Sequence, residues 1–94
     1  MFKAVWSIGR DGFEKIESLR RAAGISDACD STDAYAGHVY VCEETGEPIA
    51  AGRMYPDGDA LIIDRIAVMP QYDTMPYAEL VLRMLLFKAQ ELPQ

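Results

Sequence analysis

Apolar and polar positions change period several times along the chain, and each change marks an element. Phe2, Val5, Trp6 and Ile8 are β-favouring side chains in one short run closed by Gly9, which predicts a strand over Phe2–Ile8. Phe13, Ile16, Leu19 and Ala23 then recur at helical spacing and share one face. Asp11-Gly12-Phe13-Glu14 has the spacing of a capping box ahead of them, and Gly24 stands where a left-handed C-cap is wanted. Residues 25–37 lose the period. Ser26, Asp27, Asp30, Ser31, Thr32 and Asp33 compete for nearby backbone hydrogen bonds, so this stretch predicts a loop with one helical turn.

Three strands come next. His38-Val39-Tyr40-Val41-Cys42 and residues 48–55 flank the turn Glu43-Glu44-Thr45-Gly46-Glu47 as a hairpin, and Pro56-Asp57-Gly58-Asp59 reverses the chain again before residues 60–69. Residues 61–69 are apolar at positions of both parities, which predicts a strand covered on both faces. After a loop over 70–76, residues 77–92 read as a helix stopped by Pro93. Glu79, Arg83 and Gln90 form a narrow polar stripe on it, with Leu82 and Leu86 beside or within the stripe and Phe87 on its other side. One small sheet cannot bury all the apolar residues of this helix, so an exposed patch or an associating chain is expected.

With 94 residues, half of them apolar and 26% charged, the chain is expected to be one soluble domain spanning 1–94. Fifteen acidic against nine basic residues give a net charge of −6, a field that repels phosphates. No nucleic acid and no membrane is therefore expected as a partner. The apolar run at residues 1–8 is too short for a signal-peptide core, and no window approaches the roughly 20 apolar residues of a bilayer span, so a cytoplasmic protein is expected. Cys29 and Cys42 are too few and too far apart for a zinc site and read as reduced thiols.

Two segments bring these elements to a known family. Asp30-Ser31-Thr32-Asp33, His38 and the stretch from Glu47 through Gly52-Arg53-Met54-Tyr55 to Gly58 form the first. Ile63-Asp64-Arg65-Ile66-Ala67-Val68-Met69-Pro70-Gln71-Tyr72, followed by Glu79-Leu80 to Phe87, forms the second. Together they resemble the N-terminal half of the GNAT superfamily of N-acetyltransferases. The resemblance implies an α/β (α+β) fold, a truncated GNAT-like arrangement of mainly antiparallel strands with one helix before and one after the central strands. It also implies acyl transfer from acetyl-CoA to a small amine. In that family Ala67, Val68, Asp73, Thr74, Met75, Pro76, Tyr77 and Ala78 would line the acyl-CoA, and Asp64 would stand where a strand-borne carboxylate deprotonates the amine.

The loop departs from the family's pattern. The motif Arg/Gln-x-x-Gly-x-Gly/Ala begins at Asp73, meets Pro76 at its first glycine and agrees only at Ala78. Asp73 puts a carboxylate near the pyrophosphate, where like charges about 4 Å apart repel by about 1 kcal/mol even in bulk water. Pro76 has no N–H to donate. The chain also ends where the family's fifth strand would begin, so a homodimer or a missing partner half is expected to cover the fourth strand. Impaired or lost catalysis is expected, with a non-catalytic module that binds itself or a partner as the alternative.

Other candidates have plainer readings. Asp64 beside Arg65 fits a surface ion pair as well as a base. His38 is the single histidine, and a hydrogen bond to a loop carboxylate suits it better than a metal site with Asp30 and Asp33. Tyr35, Tyr40, Tyr55 and Tyr72 could line a groove, though tyrosines near strand ends more often pack with the hydroxyl at solvent.

Overall fold

A computed structural model describes residues 2–10 and 13–91. Its elements run β1 (Phe2–Ile8), α1 (Phe13–Ala22), a 3-10 turn (Ser31–Ala34), β2 (Gly37–Glu43), β3 (Pro48–Asp57), β4 (Ala60–Val68), a second 3-10 turn (Pro70–Tyr72) and α2 (Tyr77–Glu91). The four strands form one antiparallel sheet in chain order, β1-β2-β3-β4. Element for element this is the order the hydrophobic pattern predicts. Asp11 and Gly12 of the expected capping box, and Pro93, lie outside the described residues.

The helices take opposite faces of the sheet. Under α1, Phe13, Ile16 and Leu19 pack with Tyr40, Cys42, Ala51 and Ala67. Under α2, Val81 and Leu85 pack with Val39, Val41, Ile49, Ala50 and Met54. The pleat makes this division: alternate residues of each strand point to opposite sides, so one stretch of β3 feeds both layers. The end of α1 is a Schellman motif, in which the Ile25 N–H bonds the Arg20 carbonyl and the Gly24 N–H the Arg21 carbonyl. Gly24 adopts φ +89°, which an L side chain would resist.

One expectation changes in the structure and another holds. β4 is not covered on both faces: Ala67 is its one buried residue, and Leu61 is exposed. It lies at the outside of the sheet among the described residues, in keeping with a fourth strand expected to lack a neighbour, but its apolar run is not covered on both faces. The α2 surplus is real, and nothing among the described residues covers it. Leu82, Leu86 and Phe87 are exposed.

Candidate functional site

Gly52 faces an extra residue of β4. The β3–β4 register shifts between Ala51, which pairs with Ala67, and Arg53, which pairs with Asp64. Arg65 and Ile66 therefore oppose one residue, a β-bulge, and Arg65 takes φ +53°, the one positive φ outside glycine among the described residues. A bulge sends neighbouring side chains to unusual sides. Ile66 packs in the α2 layer, while Asp64 and Arg65 both reach charged partners on the α1 side.

Arg53 is the hub of those charges. It is 3% exposed, and its guanidinium donates to three carboxylates. Nε and Nη2 hold Asp64 at 2.6 and 3.1 Å, Nη1 holds Asp30 at 2.7 Å and Asp33 at 3.1 Å, and Nη2 also reaches Asp30. Arg20 grips both oxygens of Asp33 from α1 at 3.0 Å, and Arg65 bridges Asp27 and Asp30. The 3-10 turn seats its acids by its own cap: the Asp30 carboxylate accepts from the Thr32 N–H, and the Asp33 carboxylate from the Asp30 N–H.

Charge states follow from these contacts. The Arg53 hydrogen bond is the main force holding the Asp30 carboxyl down to about 2. Burial pushes Asp33 upward, but the Asp30 N–H together with Arg20 and Arg53 outweighs it, and its pKa lies below the ordinary value. Burial lowers His38, which is therefore the neutral imidazole. Its Nε2 lies 3.3 Å from the Asp33 backbone carbonyl, not from a carboxylate as the sequence suggested. The Asp33 side chain is already taken by two arginines, which leaves its carbonyl to face the ring.

Both oxygens of the Asp64 side chain are bound to Arg53, and 36% of that side chain is open to solvent. The acyl-CoA candidates sit away from it, at the join of β4 and α2. Ala67 is buried beneath α1, and Val68 packs in the α2 layer opposite Ala50. Asp73, Thr74, Met75 and Pro76 form an exposed loop. Within it the Met75 N–H bonds the Tyr72 carbonyl and the Tyr77 N–H the Met75 carbonyl, while Pro76 has no N–H. Only Thr74 and Ala78 keep amides without a backbone partner in residues 74–78. An anion cradle needs several such donors converging at a helix start.

Tyr40 borders a hollow of about 310 Å³, and Tyr35 and Tyr55 border another of about 140 Å³, whereas Tyr72 braces the loop. Tyr72 donates to Glu43 at 3.2 Å and packs edge-on against Tyr77, tying the loop to β2. Tyr40 is buried, and its hydroxyl reaches the Gly46 carbonyl, contrary to a solvent-facing hydroxyl. Tyr35 and Tyr55 meet edge to face near the end of β3. Cys29 and Cys42 are free thiols.

Arg20 and Arg53 carry the site, and a sequence reading gives neither a role. A signal existed for Arg20: it lies one turn after Ile16 and a further turn beyond Phe13, on the buried face of α1. An arginine on an apolar stripe, followed by Asp27, Asp30 and Asp33, calls for a buried pair.

No family model and no curated protein matches the sequence. Solved structures do match the geometry. An N-acetyltransferase candidate from Lactobacillus plantarum superposes with a TM-score of 0.81 at 16% identity, over 96% of this chain and 68% of that one. Escherichia coli ElaA superposes with a TM-score of 0.78 at 15% identity, over 97% of this chain and 71% of that one. The chain has a GNAT-like fold. No helix among the described residues is long and apolar enough to cross a membrane.

Proposed function

We propose that this is an N-acyltransferase-like domain, of the type that moves an acyl group from acyl-CoA to a small amine, with its own acyl-CoA site impaired. The observation that carries the reading is the loop at the start of α2. Two of its amides are used within the loop, Pro76 offers none, and exposed Asp73 adds a negative charge beside the helix N-terminus. A pyrophosphate brought to residues 74–78 would find only the amides of Thr74 and Ala78 free, beside a carboxylate. Asp64 adds to the case, since a base must have a lone pair aimed at the amine and this one has both oxygens on Arg53.

A second reading, a non-catalytic module that binds itself or another protein, draws on exposed Leu82, Leu86 and Phe87 of α2. Isothermal titration with acetyl-CoA separates the two states of the loop. The impaired site gives no saturable heat up to about 1 mM ligand, equivalent to about −4 kcal/mol, whereas binding near 1 μM, about −8 kcal/mol, refutes the impairment. Asp73→Arg combined with Pro76→Gly returns a cation and an amide, and is expected to strengthen binding about tenfold or more. Unchanged affinity in that variant would remove the loop as the cause.

A further inference from the structure

β1 and β4 are the outer strands of the sheet among the described residues, and they are built differently. β4 interrupts its ladder with the bulge at Arg65 and carries Asp64 and Arg65, devices that discourage an edge from pairing. β1 has no bulge and a single charge. It pairs with β2 without a break from Phe2 opposite Glu43 to Ile8 opposite Gly37. It contains no proline, no glycine and no carboxylate, and Lys3 is its one charge. Phe2, Val5 and Ile8 are 43%, 47% and 66% exposed. In a chain with fifteen acidic residues, the strand is clear of the charge that would repel a like molecule.

We propose that β1 is a self-association edge, which pairs antiparallel with β1 of a second copy of this chain about a two-fold axis at Val5. The inference is independent of the acyl-CoA reading. Pairing about Val5 sets Phe2 opposite Ile8, Lys3 opposite Ser7, Ala4 opposite Trp6, and Val5 opposite Val5 of the second copy. Every residue of the strand gains a partner. Both members of each pair have the same parity, so side chains of the two copies stay on matching faces and one sheet continues across the axis. The lone cation meets a hydroxyl rather than its own copy, while the apolar pairs are of the kind that stabilises cross-strand contacts.

The surrounding surface suits the same occupant. On the α2 side, Trp6 with Met84 and Phe87 walls a groove of about 290 Å³, and Phe2, Trp6 and Ile8 of a second copy would lengthen its apolar floor. On the α1 side, Lys3 and Lys15 pair with no carboxylate among the described residues. An acidic strand from another protein could use them, and the experiment distinguishes that case.

Sedimentation of the purified chain at about 100 μM, where contacts of ordinary affinity are populated, is expected to give twice the 10.5 kDa monomer mass. Val5→Lys and Val5→Glu each set like charges face to face, and each is expected to weaken the dimer by about tenfold or more. Mixing the two variants in equal amounts should restore a dimer, because only residue 5 opposite residue 5 turns those charges into a pair. Leu82→Lys, on the exposed side of α2, leaves the mass unchanged. A monomeric parent chain overturns the proposal and leaves the edge to a foreign strand. A dimer that survives Val5→Lys, or variants with native circular dichroism that stay monomeric when mixed, overturns the register.

Discussion

Gly52 and Arg53 are neighbours on β3, yet they meet the two helices by opposite chemistry. Arg53 faces α1 and the acidic turn, where directional bonds to Asp30, Asp33 and Asp64 hold it. Gly52 faces α2, where a Cβ built on it would lie 2.6 Å from Val81 and 3.0 Å from Leu85. One side is fixed by geometry of charges, the other by closeness of surfaces. Charged contacts specify where residues 30–33 sit, since both carboxylate oxygens of Asp30 and of Asp33 have assigned donors. Apolar contact specifies only that α2 lies close, which is why it can seat Val81 and Leu85 and still leave Leu82, Leu86 and Phe87 in water.

That contrast can be broken most severely at its hub. Arg53→Met leaves three carboxylates converging without their cation, and urea denaturation is expected to register a loss of about 3–5 kcal/mol. A loss under about 1 kcal/mol would mean that water serves the acids as well as Arg53 does. On the other face, Gly52→Ala forces α2 outward and is expected to cost about 1–3 kcal/mol, with the folded circular dichroism spectrum retained.

Acid sharpens the comparison, because Asp30 and Asp33, the carboxyls held below their ordinary value, lie on the α1 side. Asp30 is held at about 2 against an ordinary 3.8, and Asp33 is lowered too, so near pH 4 the unfolded chain binds more protons than the folded one. Their contribution is complete above the unfolded values and is lost as pH falls from about 5 toward 2. His38, lowered by burial, acts with the same sign earlier: the unfolded imidazole takes its proton first, and stability begins to fall below pH 6.5. Thermal melts from pH 7 to 3 should show both stages, and Arg53→Met should flatten the later one. The smallest effect is on the exposed part of α2. Phe87→Ser should change stability by no more than about 0.5 kcal/mol, which a urea titration can bound.

Much of the fold was legible because each element has a local cause. The β-rich run of β2, the turns that bound β3, the 3.6-residue stripe of α1 and the glycine after it all report on neighbours within a few positions. The cover of β4 was not. Its outer position agrees with a fourth strand expected to lack a neighbour, but its apolar run suggests cover on both faces, and only the register reveals its bulge. The site divides the same way. Asp73 and Pro76 were readable as departures from a loop pattern, whereas the Arg53 cluster joins α1, a turn and two strands across long sequence separations. Asp64 was visible as a carboxylate, but its partner was knowable only from the cross-strand pairing.

The order of strands in the sheet bears on how the chain finds it. β2 and β3 are joined by Glu44-Thr45-Gly46-Glu47, and β3 and β4 by Gly58 and Asp59, so each closes a short loop to reach its partner. β1 must wait for residues 9–36, with α1 among them, before it meets β2. Short closures come first because they sacrifice less chain entropy for the contacts they gain. The β2–β4 meander is therefore the expected nucleus, and β1 the last strand to arrive and the first to leave. In the monomer, amide exchange should then be fastest along β1 and slowest through Val39, Val41 and Ala50, with the rest of the sheet staying closed while its outermost strand breathes.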